Sequence, residues 1–154
     1  MVSAPRTLVL AVCALSSSVL GCARPAAPPA PPTALHIEGF DYAFTAPDTV
    51  PAGPAVVTFE NRGKHRHEMV FVRLKDGLSL REVADSLTKG ARTNALRSSG
   101  SAVLFAEAGQ RNEVVSLRLQ FAEGEHWAIV CQFADSAGAP KHNTLGMFKL
   151  VTVQ

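Results

Sequence analysis

The chain has 154 residues, and its 15 Lys and Arg against 13 Asp and Glu leave a formal net charge of +2. That near balance gives no sign of a nucleic-acid partner, which needs massed positive charge. The length bounds the fold to one domain with a modest core.

The N-terminal segment carries Arg6 as its only charge ahead of an apolar run, residues 8–15, and serines at 16–18 precede Val19, Leu20, Gly21 and Cys22. The run is too short to span a bilayer as a helix and reads as an export signal. The Val-Leu-Gly-Cys tetrad resembles the lipobox of bacterial lipoproteins, in which a peptidase cuts before the cysteine and the new N-terminal residue carries diacylglycerol on its thiol. By that resemblance residues 1–21 are a lipoprotein signal peptide and Cys22 is lipidated. The mature chain is then anchored to a bacterial membrane, facing the periplasm or the cell exterior. Ala23, in place of Asp, is similar to chains sorted to an outer membrane. An ordinary secretory signal cut near Gly21 or Ala23 is the alternative. Removing Arg6 leaves a net charge of about +1, again too little to attract nucleic acid.

Residues 23–33 are mostly Pro and Ala. Repeated proline keeps such a segment extended at about 3.1 Å per residue, so it reaches about 34 Å. Residues 22–33 therefore read as a lipid-anchored stalk, and 34–154 as the folded domain. Cys13 leaves with the signal and Cys22 is consumed by lipid, so Cys131 is left alone in the domain. Exported proteins usually pair their cysteines; an unpaired one needs either burial as a small apolar residue or use as a thiolate.

From residue 34 the pattern is of short β-prone segments bounded by Gly, Pro, Asn and Asp: 35–38, 42–45, 55–60, 67–74, 103–105, 113–121, 126–133 and 147–153. Such spacing predicts a sandwich or barrel. Leu35 and Ile37 alternate with His36 and Glu38, and Val115, Leu117, Leu119 and Phe121 alternate with Val114, Ser116, Arg118 and Gln120, the period of a half-buried strand. One stretch breaks the rule. Leu80, Val83, Ala84 and Leu87 fall at helical spacing, with Ser79 and Glu82 as a capping box and Gly90 as a stop, which predicts a helix at about 79–89. Residues 91–101, rich in Ser, Thr, Asn, Arg and Gly, read as a mobile loop back to the sheet.

Chemistry concentrates in two places. Asn61-Arg-Gly63-Lys-His65-Arg-His67-Glu68 puts imidazoles at a strand start, and near the C-terminus Cys131 ends a strand, His142 follows in a loop, and Met147 opens the last strand behind Gly146. A thiolate and two imidazoles with a weak axial thioether suit copper in both oxidation states. The strand ending in Cys131, the His142-x4-Met147 spacing and the Asn61-x-Gly63 turn resemble the ligand loops of the cupredoxins, over nearly all of 34–154. The resemblance implies an all-β, Greek-key β-sandwich with the helix as an insertion. It also implies one type 1-like copper held by His67, Cys131, His142 and Met147, with His65 as a possible substitute ligand. Three features depart from the family pattern: ten residues separate Cys131 from His142, Glu68 stands where a short bracing side chain is usual, and 79–101 is an addition.

Each donor also has a purely structural reading: Cys131 and Met147 as core residues, His67 as a hydrogen-bonded strand residue, His142 as a solvated loop residue. His36 and His126 point away from the apolar faces of their strands and read as surface residues. The function expected is a one-electron Cu(I)/Cu(II) shuttle at a membrane surface, with redox proteins as partners. The alternative is a lipoprotein that carries copper or acts as a metal-free accessory module. An enzyme built on Cys131 as nucleophile and His142 as base lacks the helix N-terminus or cations that lower a thiol pKa, so no catalysis is expected.

Overall fold

The computed structural model describes residues 30–111 and 115–154; the expected signal segment, Cys13 and Cys22 lie outside them. Among the described residues, nine strands form two sheets: β1 (Thr33–Phe40), β2 (Ala43–Thr45), β3 (Thr49–Val50), β4 (Gly53–Asn61), β5 (His67–Leu74), β6 (Arg97–Ala106), β7 (Leu117–Phe121), β8 (His126–Val130) and β9 (Phe148–Val153). One sheet has the order β2-β1-β4-β7 and the other β3-β9-β8-β5-β6. Both are mixed, because β1 runs parallel to β4 and β3 parallel to β9. The first strand begins at Thr33, the last residue of the expected stalk.

Alternation places the core between the sheets. Leu35, Ile37, Val57 and Phe59 of one sheet meet Met69, Phe71, Trp127, Ile129 and Val151 of the other. On β7, Arg118 and Gln120 face solvent while Phe121 is buried; Val115, expected on the inner face, is exposed and precedes the strand.

The insertion covers the outer face of the second sheet. Helix α1 (Leu80–Thr88) has the expected capping box: the Ser79 hydroxyl accepts from the Glu82 N–H, and the Glu82 carboxylate accepts from the Ser79 N–H. Val83 and Leu87, with Leu96, pack on Val70, Val72, Leu74, Ala128 and Val130. Strand β5 is thereby covered on both faces, which is why its Met-Val-Phe-Val run is continuous rather than alternating.

The loop expected over 91–101 is not there. A short helix, α2 (Thr93–Leu96), is followed directly by β6, which pairs with β5 from Leu74↔Arg97 to His67↔Ala106. Residues 98–101 are polar and exposed because β6 is a sheet edge, where a polar outer strand discourages pairing with other chains. The two-residue β3 carries too little pattern to be seen in sequence. Ser79→Ala should lower stability by about 1 kcal/mol through loss of the cap, read as a reduced urea midpoint with an unchanged slope.

Candidate metal centre

Three buried side chains converge at one end of the sandwich. His67 is the first residue of β5, Cys131 lies just past β8, and His142 opens a 3-10 turn, His142–Leu145, that leads to Met147 and β9. Strands β5 and β8 are neighbours, which brings the first two together. The third arrives through a backbone bond: the His142 N–H donates to the Phe133 carbonyl at 2.7 Å. That bond closes a neck, so residues 134–141 are an excursion and the long Cys-His spacing is short-circuited. Gly146, at φ +106°, reverses the chain, and the Met147 N–H then donates to the His142 carbonyl at 2.9 Å. The Cys131 N–H donates to the Met147 carbonyl at 3.1 Å.

The donor atoms form a tight triangle. His67 Nδ1 is 3.1 Å from His142 Nδ1, and Cys131 Sγ is 3.3 Å from His142 Nδ1 and 3.9 Å from His67 Nδ1. A point equidistant from all three lies about 2.0 Å from each, an ordinary imidazole-to-metal distance. Met147 is fully buried, its methyl group beside Gly39 and Phe59.

The far side of each ring is held by a carboxylate: His67 Nε2 lies 2.8 Å from Asp41 Oδ1, and His142 Nε2 lies 2.9 Å from Asp135 Oδ1. A carboxylate accepts, so each Nε2 must carry the proton. Both Nδ1 lone pairs then point at each other and at the sulfur. Two imidazole nitrogens and one sulfur converging this closely are the donor set that a soft or borderline metal takes, so the residues present fit a metal.

These second partners were not visible in the sequence. Asp41 sits after β1, accepts from the Lys64 N–H at 2.8 Å, and reaches His67 only because Gly63 has no side chain. A Cβ there would stand 2.3 Å from Asp41 Oδ1 and 2.8 Å from His67 Nε2. Asn61 shapes this turn, accepting from the Gly63 N–H and donating to the carbonyls of His65 and Ala106. Glu68, which stands where the family pattern has a short bracing side chain, acts as a clasp: its carboxylate accepts from the Gln132 N–H at 2.8 Å, and its own N–H points to Cys131 Sγ at 3.4 Å.

His65, the expected substitute ligand, does not join the triangle. It is exposed at the rim, 3.0 Å from Asp135 Oδ1 and stacked on Tyr42. Tyr42 also lies against the His142 ring, centroids 4.8 Å apart, and donates its hydroxyl to Asp135. His36 forms a surface ion network with Glu38, Glu60 and Arg62, and His126 is half-buried beside Thr152.

Burial pushes the Cys131 thiol up to about 11 and lowers the His67 imidazolium, against the raising pull of Asp41. Burial raises the Glu68 carboxyl. Burial works against the Asp41 carboxylate, but the Lys64 N–H, His67 and the His65 N–H outweigh it and hold its carboxyl below the usual value. The Tyr42 hydroxyl does the same for Asp135.

No protein-family model matches the chain, and no curated protein does. Among solved structures it is similar to the dithionite-reduced auracyanin of the photosynthetic bacterium Roseiflexus castenholzii, with 21% identity over 79% of this chain and 97% of that one and a TM-score of 0.53. It is also similar to auracyanin B, with 19% identity over 83% and 93% and a TM-score of 0.51.

Tyr42 is the one tyrosine of the chain, so phenolate absorbance reports it directly. The hydrogen bond to Asp135 raises it to about 12. The stabilisation from that bond is intact below pH 10 and lost as the pH rises through about 12. An alkaline titration should show a single transition near that value, moved toward the ordinary tyrosine value by Asp135→Asn.

Proposed function

We propose that in this chain, whose fold is that of the cupredoxins, His67, Cys131 and His142, with Met147 as a weak fourth donor, would hold one copper ion, and that the chain carries single electrons at a membrane surface. The observation that carries the reading is the convergence of two carboxylate-fixed Nδ1 lone pairs and one thiol within 3.1–3.9 Å. Copper bound there would supply a Cu(I)/Cu(II) couple, for which two imidazoles, a thiolate and a weak thioether suit both states.

The protein's part is to hold those donors still and dry. Asp41 and Asp135 fix ring tautomer and orientation, and the Glu68 N–H, 3.4 Å from Sγ, stabilises negative charge on sulfur. The packed end of the core excludes water. His67 and Cys131 have no exposed surface and His142 only 1%. Such enclosure favours a resident ion over cargo that must be handed on. A metal-free thiol raised to about 11 by burial is the opposite of what a cysteine nucleophile uses.

The export and anchoring parts of the proposal rest on residues 1–22. No helix among the described residues is long and apolar enough to cross a membrane, and lipid on Cys22 would supply the tether. Its partners would then be membrane-associated redox proteins that reach the domain at the end of the stalk.

Adding Cu(II) to the chain freed of residues 1–22 should give one equivalent of binding and an intense visible thiolate-to-copper band, abolished by Cys131→Ser. Weak, colourless binding by the unaltered chain would sink the electron-transfer reading. In cells, Cys22→Ser should move the full chain from the membrane fraction to the soluble one; unchanged partitioning would remove the lipid anchor.

A further inference from the structure

We infer that the insertion spanning residues 80–96 is a scaffold for the metal centre, holding the two residues that adjoin Cys131 and His142. The inference rests on the copper reading for its purpose and on three side-chain contacts for its geometry. Asn143, next to His142 and fully buried, donates from Nδ2 to the Leu87 carbonyl at 2.7 Å. Gln132, next to Cys131, donates from Nε2 to the Ala91 carbonyl at 3.4 Å and accepts from the Thr93 hydroxyl at 3.2 Å. One short insertion thus grips both limbs of the ligand loop, at positions adjoining the proposed ligands.

The grip has a firm base. Val83, Leu87 and Leu96 are buried on β5 and β8, the strands that present His67 and Cys131. Lys75, just beyond β5, ties α2 down through its N–H to the Leu96 carbonyl at 2.9 Å and its Nζ to the Ala95 carbonyl at 2.8 Å. A displacement of the ligand loop would therefore have to break contacts to elements packed on the sheet.

Asn143 itself indicates that direction, rather than bulk stability, is what this contact contributes. Its Oδ1 is buried without a hydrogen-bond partner, and an unsatisfied buried acceptor costs stability that an apolar residue of similar size would avoid. What such a residue could not supply is the bond to Leu87, which fixes the backbone beside His142. A loop with ten residues between its two ligands needs such a guide more than a short one, to add to the neck bond at Phe133, the Cys131 N–H bond to the Met147 carbonyl and the Glu68 clasp that also hold its limbs in register. Asn143 and Gln132 are accordingly positioning residues, acting through His142 and Cys131.

The test compares Asn143→Leu and Gln132→Ala with Val153→Ala, a core truncation in the last strand, which lies outside the ligand loop. Each chain is loaded with Cu(II), and band position, affinity and melting temperature are measured. In the metal-free chains, exchange of the His142 Nε2 proton is followed by NMR. Both loop variants should shift the thiolate-to-copper band and weaken copper binding about tenfold or more, and should speed imidazole exchange. Val153→Ala should lower the melting temperature and leave the other readouts alone. The scaffold is overturned if Asn143→Leu and Gln132→Ala change only the melting temperature. Should the unaltered chain bind no copper, the proposed function fails by itself. The exchange measurement then decides: faster exchange in both variants sustains the scaffold, and unchanged exchange rejects it.

Discussion

Two imidazole rings face each other, Nδ1 to Nδ1, because each has surrendered its other nitrogen to a carboxylate, and the rest of this end of the molecule is arranged around that commitment. Asp41 and Asp135 come from different parts of the chain and do the same work. Each accepts from Nε2 and is itself held by other donors: Asp41 by the Lys64 N–H, Asp135 by Tyr42 and His65. A ring fixed in this way cannot rotate its lone pair elsewhere without abandoning a charge-assisted hydrogen bond. The requirement reaches back to single residues. Gly63 must lack a side chain for Asp41 to approach His67, and Asn61 must hold the turn in which Gly63 sits.

The sandwich delivers the three donors with different amounts of help. His67 and Cys131 need little help, since β5 and β8 are neighbours and these residues lie at the same end of the pair, each just beyond its last partners. His142 depends on the loop. Closure entropy grows slowly with loop length, so ten intervening residues are not in themselves an obstacle; the cost is uncertainty of position. The neck at Phe133 removes most of it by making His142 a backbone neighbour of the residue two beyond Cys131. What remains of the excursion is used, because it carries Asp135 back over the site.

Sequence reading and structure agree where the physics is local. The capping box of α1 and the alternation in β1 are both decided within a few residues, and both appear as expected. The grouping of His67, Cys131 and His142 was legible because these residue types are rare and their order is distinctive. Asp41 and Asp135 were not, since an aspartate in a turn ordinarily caps or solvates that turn, and only the folded chain sets Asp41 against a ring 26 positions away. The bond that Glu68 makes was hidden for a related reason: its charge is visible in the sequence, but the length that lets it reach the Gln132 N–H matters only once β5 and β8 are paired. Residues 91–101 misled through composition, because a polar edge strand and a flexible loop use the same residues, and the pairing of β6 with β5 is a tertiary fact.

Enclosure is the last consequence. A catalytic metal site keeps one coordination position open to water or substrate. Here the donors are buried, Tyr42 lies against His142, and Met147 is fully buried, its methyl group near Gly39. A substrate would have to displace this packing to reach a metal, whereas an electron needs only a short distance through it. The fixed rings and the clasped sulfur serve the same end, since donors that cannot move leave little to rearrange when the charge on the ion changes by one. On the proposed reading, the rigidity that Asp41, Asp135 and Glu68 impose is therefore what suits the centre to passing electrons, and it is the same rigidity that would make it a poor site for binding and releasing anything larger.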